Sequence, residues 1–72
     1  MALLKLPLRF VDEANANSTI EACGLFPIGA RAVQGEYGRW FVVIDARQPE
    51  STLRYLKQHM PGVEWRVMEE SP

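Results

Sequence analysis

Few side chains of this 72-residue chain are of the types that do covalent or metal chemistry. Cys23 is the single cysteine and His59 the single histidine. A thiol beside an imidazole would form a nucleophile with its base. No pattern in the sequence brings Cys23 and His59 together, and one cysteine cannot supply a zinc site with several thiolates. We therefore expect Cys23 to be a small, buried apolar residue and His59 to be a hydrated residue at a helix end.

Asp12 and Asp45 are the remaining candidates for catalysis, because two neighbouring carboxylates can act as general acid and general base. Each lies at the end of a predicted strand, and in the arrangement predicted for this chain the two strands run parallel. Both carboxylates would then meet at one edge of the sheet. Capping and loop roles are more common for such residues, so we expect no catalytic residue, no metal, no cofactor and no enzymatic activity.

The composition is that of an ordinary small globular domain, with 47% hydrophobic and 24% charged residues and a net charge of −1. This charge gives no general attraction to nucleic acid or to an anionic membrane. No run approaches the about 18 apolar residues of a membrane span, and the lack of disulfides favours a reducing compartment. We interpret the chain as a cytoplasmic protein with a single domain over residues 1–68 and a flexible tail over 69–72.

Residues 39–45 are the most informative segment for the fold. Their two alternating sets are both apolar: Trp40, Val42 and Ile44 on one side, Phe41 and Val43 on the other. A strand with one hydrated face would alternate apolar and polar residues, so this strand is predicted to be central and covered on both faces. So short a chain has helices for one face only, and the second set therefore points to a partner.

The N-terminal half of the chain predicts a strand, a short helix and a hairpin. Leu4, Leu6, Leu8 and Phe10 recur with period two, which indicates a strand with one buried face, interrupted by Pro7. Ser18 and Glu21 fit a capping box that would begin a helix there, unless the helix begins earlier, near Asp12. Residues 30–45 predict a β-hairpin with its turn at 35–38.

The C-terminal half predicts a helix and a last strand. Pro49 suits the first position of a helix, whose apolar stripe is Leu53, Leu56 and Met60. Alternation over 63–68 then indicates a strand. The order β-α-β-β-α-β predicts an α+β domain of the ferredoxin-like kind, an antiparallel-rich sheet with two helices on one face. The alternative is a βαββ core with a loosely attached last strand.

The open face of that sheet is predicted to be both basic and apolar. Five basic residues would share it with Phe41 and Val43: Lys5, Arg9, Arg31, Arg39 and Arg66. Only Asp45 and Glu64 would oppose them. We take as partner-binding residues Phe41, Val43, Arg39, Arg9, Arg31 and Arg66. A shift of the strands by one residue would exchange the two faces.

An aromatic residue among arginines is typical of interface hot spots. The favoured function is therefore that of a non-enzymatic adaptor, inhibitor or regulatory subunit. It would bind a protein partner, or a second copy of itself as a homodimer, through the open sheet face or the exposed edge of the hairpin.

Gly38, Phe41 and Val42 follow the spacing of the RNP1 segment, so this stretch slightly resembles the RNA-recognition domains. Tyr37 stands where that family has a basic residue, Arg39 stands where it has an aromatic one, and the first strand has no RNP2 counterpart. The resemblance implies binding of single-stranded RNA or DNA on the same face, which the net charge does not support. A small-ligand-sensing module of the ACT type is a further alternative that rests on topology alone.

Overall fold

Two helices and four strands form along the chain in a computed structural model. It describes the backbone of residues 2–70 and the side chains of these residues except 36, 69 and 70. The elements are β1 (Ala2–Lys5), α1 (Glu13–Ala22), β2 (Ala30–Gln34), β3 (Trp40–Ala46), α2 (Pro49–His59) and β4 (Arg66–Glu70), with a 3₁₀ turn at Phe26–Ile28 and a tight turn at Glu36–Gly38. The α+β class and the β-α-β-β-α-β order predicted from the sequence are confirmed.

The sheet has the strand order β2-β3-β1-β4, and each neighbouring pair is antiparallel. The hairpin of β2 and β3 pairs Ala30 with Ile44 at one end and Gln34 with Trp40 at the other, which confirms the predicted hairpin. The strand predicted at residues 39–45 is therefore central, between β2 and β1. Among the described residues no helix has the length and apolarity that crossing a membrane requires.

Both helices pack against the same face of the sheet. Ile20 of α1 and Leu56 of α2 are fully buried in one cluster with Leu4, Val42 and Ile44. Burying each of these side chains is worth about 1.5–3 kcal/mol. Val42 and Ile44 thus face the helices as predicted, and the opposite face of β3 carries Phe41 and Val43.

β1 is shorter than the period-two pattern predicts, because the chain leaves the sheet at Pro7. Leu4 and Leu6 are buried, whereas Leu8 is 53% exposed. Pro7 has no N–H to donate to a ladder, and the Leu8 N–H donates to the Leu6 carbonyl at 2.8 Å across it. Pairing resumes only where Phe10 forms an isolated bridge with the start of β3. The predicted burial of Leu8 is therefore wrong.

The first helix begins after Asp12, not at the predicted capping box. The Asn15 N–H donates to Asp12 Oδ1 at 2.8 Å, and Asp12 has the extended backbone of an N-cap residue. Ser18 and Glu21 both lie inside α1. The capping box is therefore wrong, and the alternative start near Asp12 is confirmed.

This cap gives a testable difference between two polar residues of the first helix. Asp12→Ala is expected to lower the free energy of unfolding by about 1 kcal/mol, because one N–H of the first turn loses its acceptor. Ser18→Ala, in the exposed middle of α1, should leave it nearly unchanged or slightly higher, since alanine is the better helix former. Urea denaturation followed by circular dichroism measures both variants. Equal losses would contradict the assignment of the cap.

The C-terminal elements follow the prediction for the helix but not for the strand. Leu56 is fully buried at the centre of the α2 stripe, and Leu53 and Met60 pack partly against the core. Val63 and Trp65 also pack against the core, but they belong to the connection that precedes β4. The strand predicted over 63–68 is thus displaced toward the C-terminus.

β4 runs beyond the predicted domain boundary at residue 68 and ends at Glu70. Its pairing with β1 contains an irregularity, since Leu4 lies opposite Val67 but Leu3 lies opposite Glu69. Met68 is therefore the additional residue of a bulge. The remainder of the predicted tail, residues 71–72, lies outside the described residues.

Candidate functional site

Cys23 and His59 lie close together, although no sequence pattern indicates it. His59 Nε2 is 2.8 Å from the backbone carbonyl oxygen of Cys23. A carbonyl only accepts, so the Nε2–H donates. The imidazole also stacks on Tyr55, with ring centroids 5.5 Å apart. Because the hydrogen bond involves the backbone oxygen of Cys23, it ties the end of α2 to the end of α1 and does not pair the imidazole with the thiol.

The predicted meeting of Asp12 and Asp45 is wrong. β1 runs antiparallel to β3, so Asp45 lies near the start of β1, at the position that pairs with Leu3. Asp12 follows Phe10, which pairs with Trp40 at the opposite end of β3. The length of β3 separates the two carboxylates. Among the side chains that the structure describes, moreover, no three from His, Cys, Asp or Glu form a group that could hold a metal ion.

The open face of the sheet carries a cavity of about 450 Å³, which we call the basin. Its apolar lining comes from all four strands and consists of Leu3, Val33, Phe41, Val43 and Met68. Its basic lining consists of Lys5, Arg9 and Arg39, and the hairpin turn adds Gln34, Gly35 and Tyr37. Apolar lining with a few converging polar groups is typical of binding sites, and the volume lies in their usual range.

Phe41 is half-buried and contacts two other parts of the chain. The Lys5 ammonium lies over the ring, 3.7 Å from its centroid, a cation–π contact worth about 0.5–1 kcal/mol at such sites. One edge of the ring lies against the backbone of Gly35. A Cβ there would be 2.9 Å from Phe41 Cδ2 and closer still to Cε2. Only glycine fits this contact without displacing the ring.

Val43 has almost no surface left for a partner to bury. It is 1% exposed, although it lies on the face away from the helices. Lys5 of β1 and Arg31 of β2 are its direct cross-strand neighbours, and the aliphatic stems of such side chains readily cover an apolar residue between them. Val43 therefore forms the floor of the basin and offers a partner little surface of its own.

The charged residues of the open face fall into two groups, those in the described salt bridge and those that line the basin or lie beside it. Arg31 forms a half-exposed salt bridge with Asp45 at 3.3 Å, which balances both charges. Arg66 is exposed and lies opposite Lys5 across the β1–β4 pair. Lys5, Arg9 and Arg39 line the basin, and no carboxylate occurs among its lining residues in the described part of the chain.

Glu64 is not on the open face, contrary to prediction. It lines a different cavity, with Lys57 and Trp65, near the end of α2. The reason is that Trp65 packs into the core and β4 begins only at Arg66. The basin therefore lacks one of the two carboxylates that the sequence assigned to this face.

Tyr37 is a lining residue that the sequence prediction of the open face did not include. It is 94% exposed at the hairpin tip and has a φ of 59°. Of the two glycines in the turn, Gly38 has a positive φ of 71°. The second such position is Tyr37, not Gly35. The signal in the sequence was an aromatic residue inside a turn where Asn, Asp or Gly is usual.

No family model, no curated protein and no solved structure matches this chain. The candidate site is thus defined by its own geometry. It is a basic basin with an apolar lining, on the face of the sheet opposite the helices.

Proposed function

We propose that this protein is a non-enzymatic interaction module, an adaptor, inhibitor or regulatory subunit, whose basin binds an acidic segment of another protein. The observation that carries the proposal is the composition of the basin. Lys5, Arg9 and Arg39 surround apolar side chains, and no carboxylate is among the lining residues that the structure describes. Complementary charge attracts such a segment and selects against basic ones.

The charge of the open face argues against a second copy of the chain as the partner. A twofold dimer places the same surface patch on both sides of the interface. Lys5, Arg9 and Arg39 of one copy would then share one interface with the same three cations of the other. Like charges within one interface oppose association. An acidic segment of a different protein therefore suits this face better than a second copy of the chain.

The position of Phe41 argues against nucleic acid. Single-stranded RNA and DNA bind such sheets by stacking bases on exposed aromatic rings. The Lys5 ammonium already lies over the Phe41 ring, and the Gly35 backbone lies against one edge of it. Val42, another residue of the RNP1-like spacing, is fully buried toward the helices. Charge would still attract phosphates, but a base would have to displace the Lys5 ammonium to stack on the ring face that it occupies.

The proposal is tested by titrating ¹⁵N-labelled protein with a synthetic peptide in which glutamate alternates with leucine. Amide shifts are expected to concentrate around the basin, at Lys5, Arg39 and Phe41, and binding should weaken as ionic strength rises. The control peptide replaces each glutamate by lysine and keeps every leucine. Equal binding of both peptides, or shifts on the helical side, would reject the proposal. Free glutamate, added separately, distinguishes a small-ligand site from a peptide site.

A further inference from the structure

At the hairpin tip, Tyr37 has a backbone conformation that is unfavourable for tyrosine. Tyr37 has φ 59° and ψ 25°, in the left-handed region that side chains with a Cβ rarely adopt. Asparagine is several-fold enriched there and glycine adopts it freely. The turn Glu36–Gly38 connects β2 to β3, so the strain lies at the tip of the hairpin.

The chain itself gains little from the tyrosine ring. Tyr37 is 94% exposed, so its side chain is not packed in the fold. It nevertheless lines the basin together with Arg39. A strained residue without internal packing, at the margin of a candidate binding site, motivates a functional interpretation.

We propose that Tyr37 anchors the bound partner: its ring packs on a large apolar side chain of the acidic segment, while Arg39 binds a carboxylate beside it. This inference rests on the proposed function and narrows the partner to a segment in which acidic and large apolar residues are adjacent. Tyrosine suits this role because it offers a large contact area and orders only two side-chain torsions.

The substitution Tyr37→Asn is expected to change the stability of the domain and its affinity for the peptide in opposite directions. Asparagine accepts the left-handed backbone, so the melting temperature should rise by roughly 4–8 °C, the shift expected when the backbone strain at one residue is relieved in so small a domain. Affinity for the glutamate–leucine peptide should fall about tenfold, more than the loss of most interface side chains causes. Tyr37→Phe keeps the ring and should bind nearly as the wild type does.

The control is Tyr55→Gln, which removes an exposed tyrosine on α2, away from the basin. Its peptide affinity should equal that of the wild type. If the wild type binds the peptide and Tyr37→Asn binds it equally well, the inference is overturned and the proposed function stands. If the wild type does not bind the peptide, both fail. A lower melting temperature for Tyr37→Asn would overturn the strain argument and with it the inference.

Discussion

Replacing Arg9 and Arg39 together by glutamate is expected to weaken binding of the glutamate–leucine peptide about a hundredfold and to leave the domain folded. Both side chains are exposed and line the basin. Each reversal removes one attraction and adds one repulsion, and a tenfold loss per site corresponds to about 1.4 kcal/mol. Isothermal titration calorimetry gives the affinity, and circular dichroism confirms the fold.

The matched control is Arg54→Glu with Lys57→Glu, two exposed residues of α2. It changes the net charge of the chain by the same amount but leaves the open sheet face untouched. Its peptide affinity should fall only slightly, through the long-range field that salt screens. If the two double variants lose affinity equally, the attraction is general and the basin is not the binding site.

The two faces of β3 were predictable because the side-chain period of a strand is two. Once the hairpin turn fixes the register, Val42 and Ile44 must face the helices and Phe41 must face the open side of the sheet. The turn itself was readable from its glycines and from the alternation on both sides. Local patterns of this kind carry most of the fold of so short a chain.

The order of the elements along the chain also implied that β1 and β3 run in opposite directions. The prediction that these two strands are parallel overlooked this. A helix connects β1 to β2, so these two strands run the same way. The hairpin then reverses the chain, which makes β3 antiparallel to β1. Asp12 and Asp45 therefore had to lie at opposite ends of β3, and the paired-carboxylate hypothesis fails for topological reasons.

Contacts between distant parts of the chain were beyond the sequence patterns. The alternation predicted Phe41 on the open face but gave no sign of its ring contacts with Lys5 and Gly35, which form only after β1 and the hairpin have come together. Glu64 left the open face because Trp65 packs into the core. Such outcomes depend on side-chain packing in three dimensions, which alternation and spacing do not encode.

The contact between Gly35 and Phe41 determines whether Gly35→Ala raises or lowers the free energy of unfolding. Gly35 is not among the glycines with positive φ. In open space Gly35→Ala would therefore stabilise the domain by about 0.4–1 kcal/mol, because alanine restricts the unfolded chain. Here the added Cβ would overlap the Phe41 ring. We instead expect a loss of about 1–3 kcal/mol, typical of overpacking, together with weaker peptide binding.

A double-mutant cycle with Phe41→Leu identifies the cause, since leucine lacks the ring atoms that the added methyl group would meet. In the leucine background Gly35→Ala should cost much less, and a coupling energy of about 0.5–3 kcal/mol is expected for residues in contact. Urea denaturation of the four proteins measures it. If Gly35→Ala raises the free energy of unfolding on its own, the ring does not rest on the turn. The edge of the Phe41 ring would then be open on the side of the turn, and base stacking on Phe41 would be opposed by the Lys5 ammonium alone.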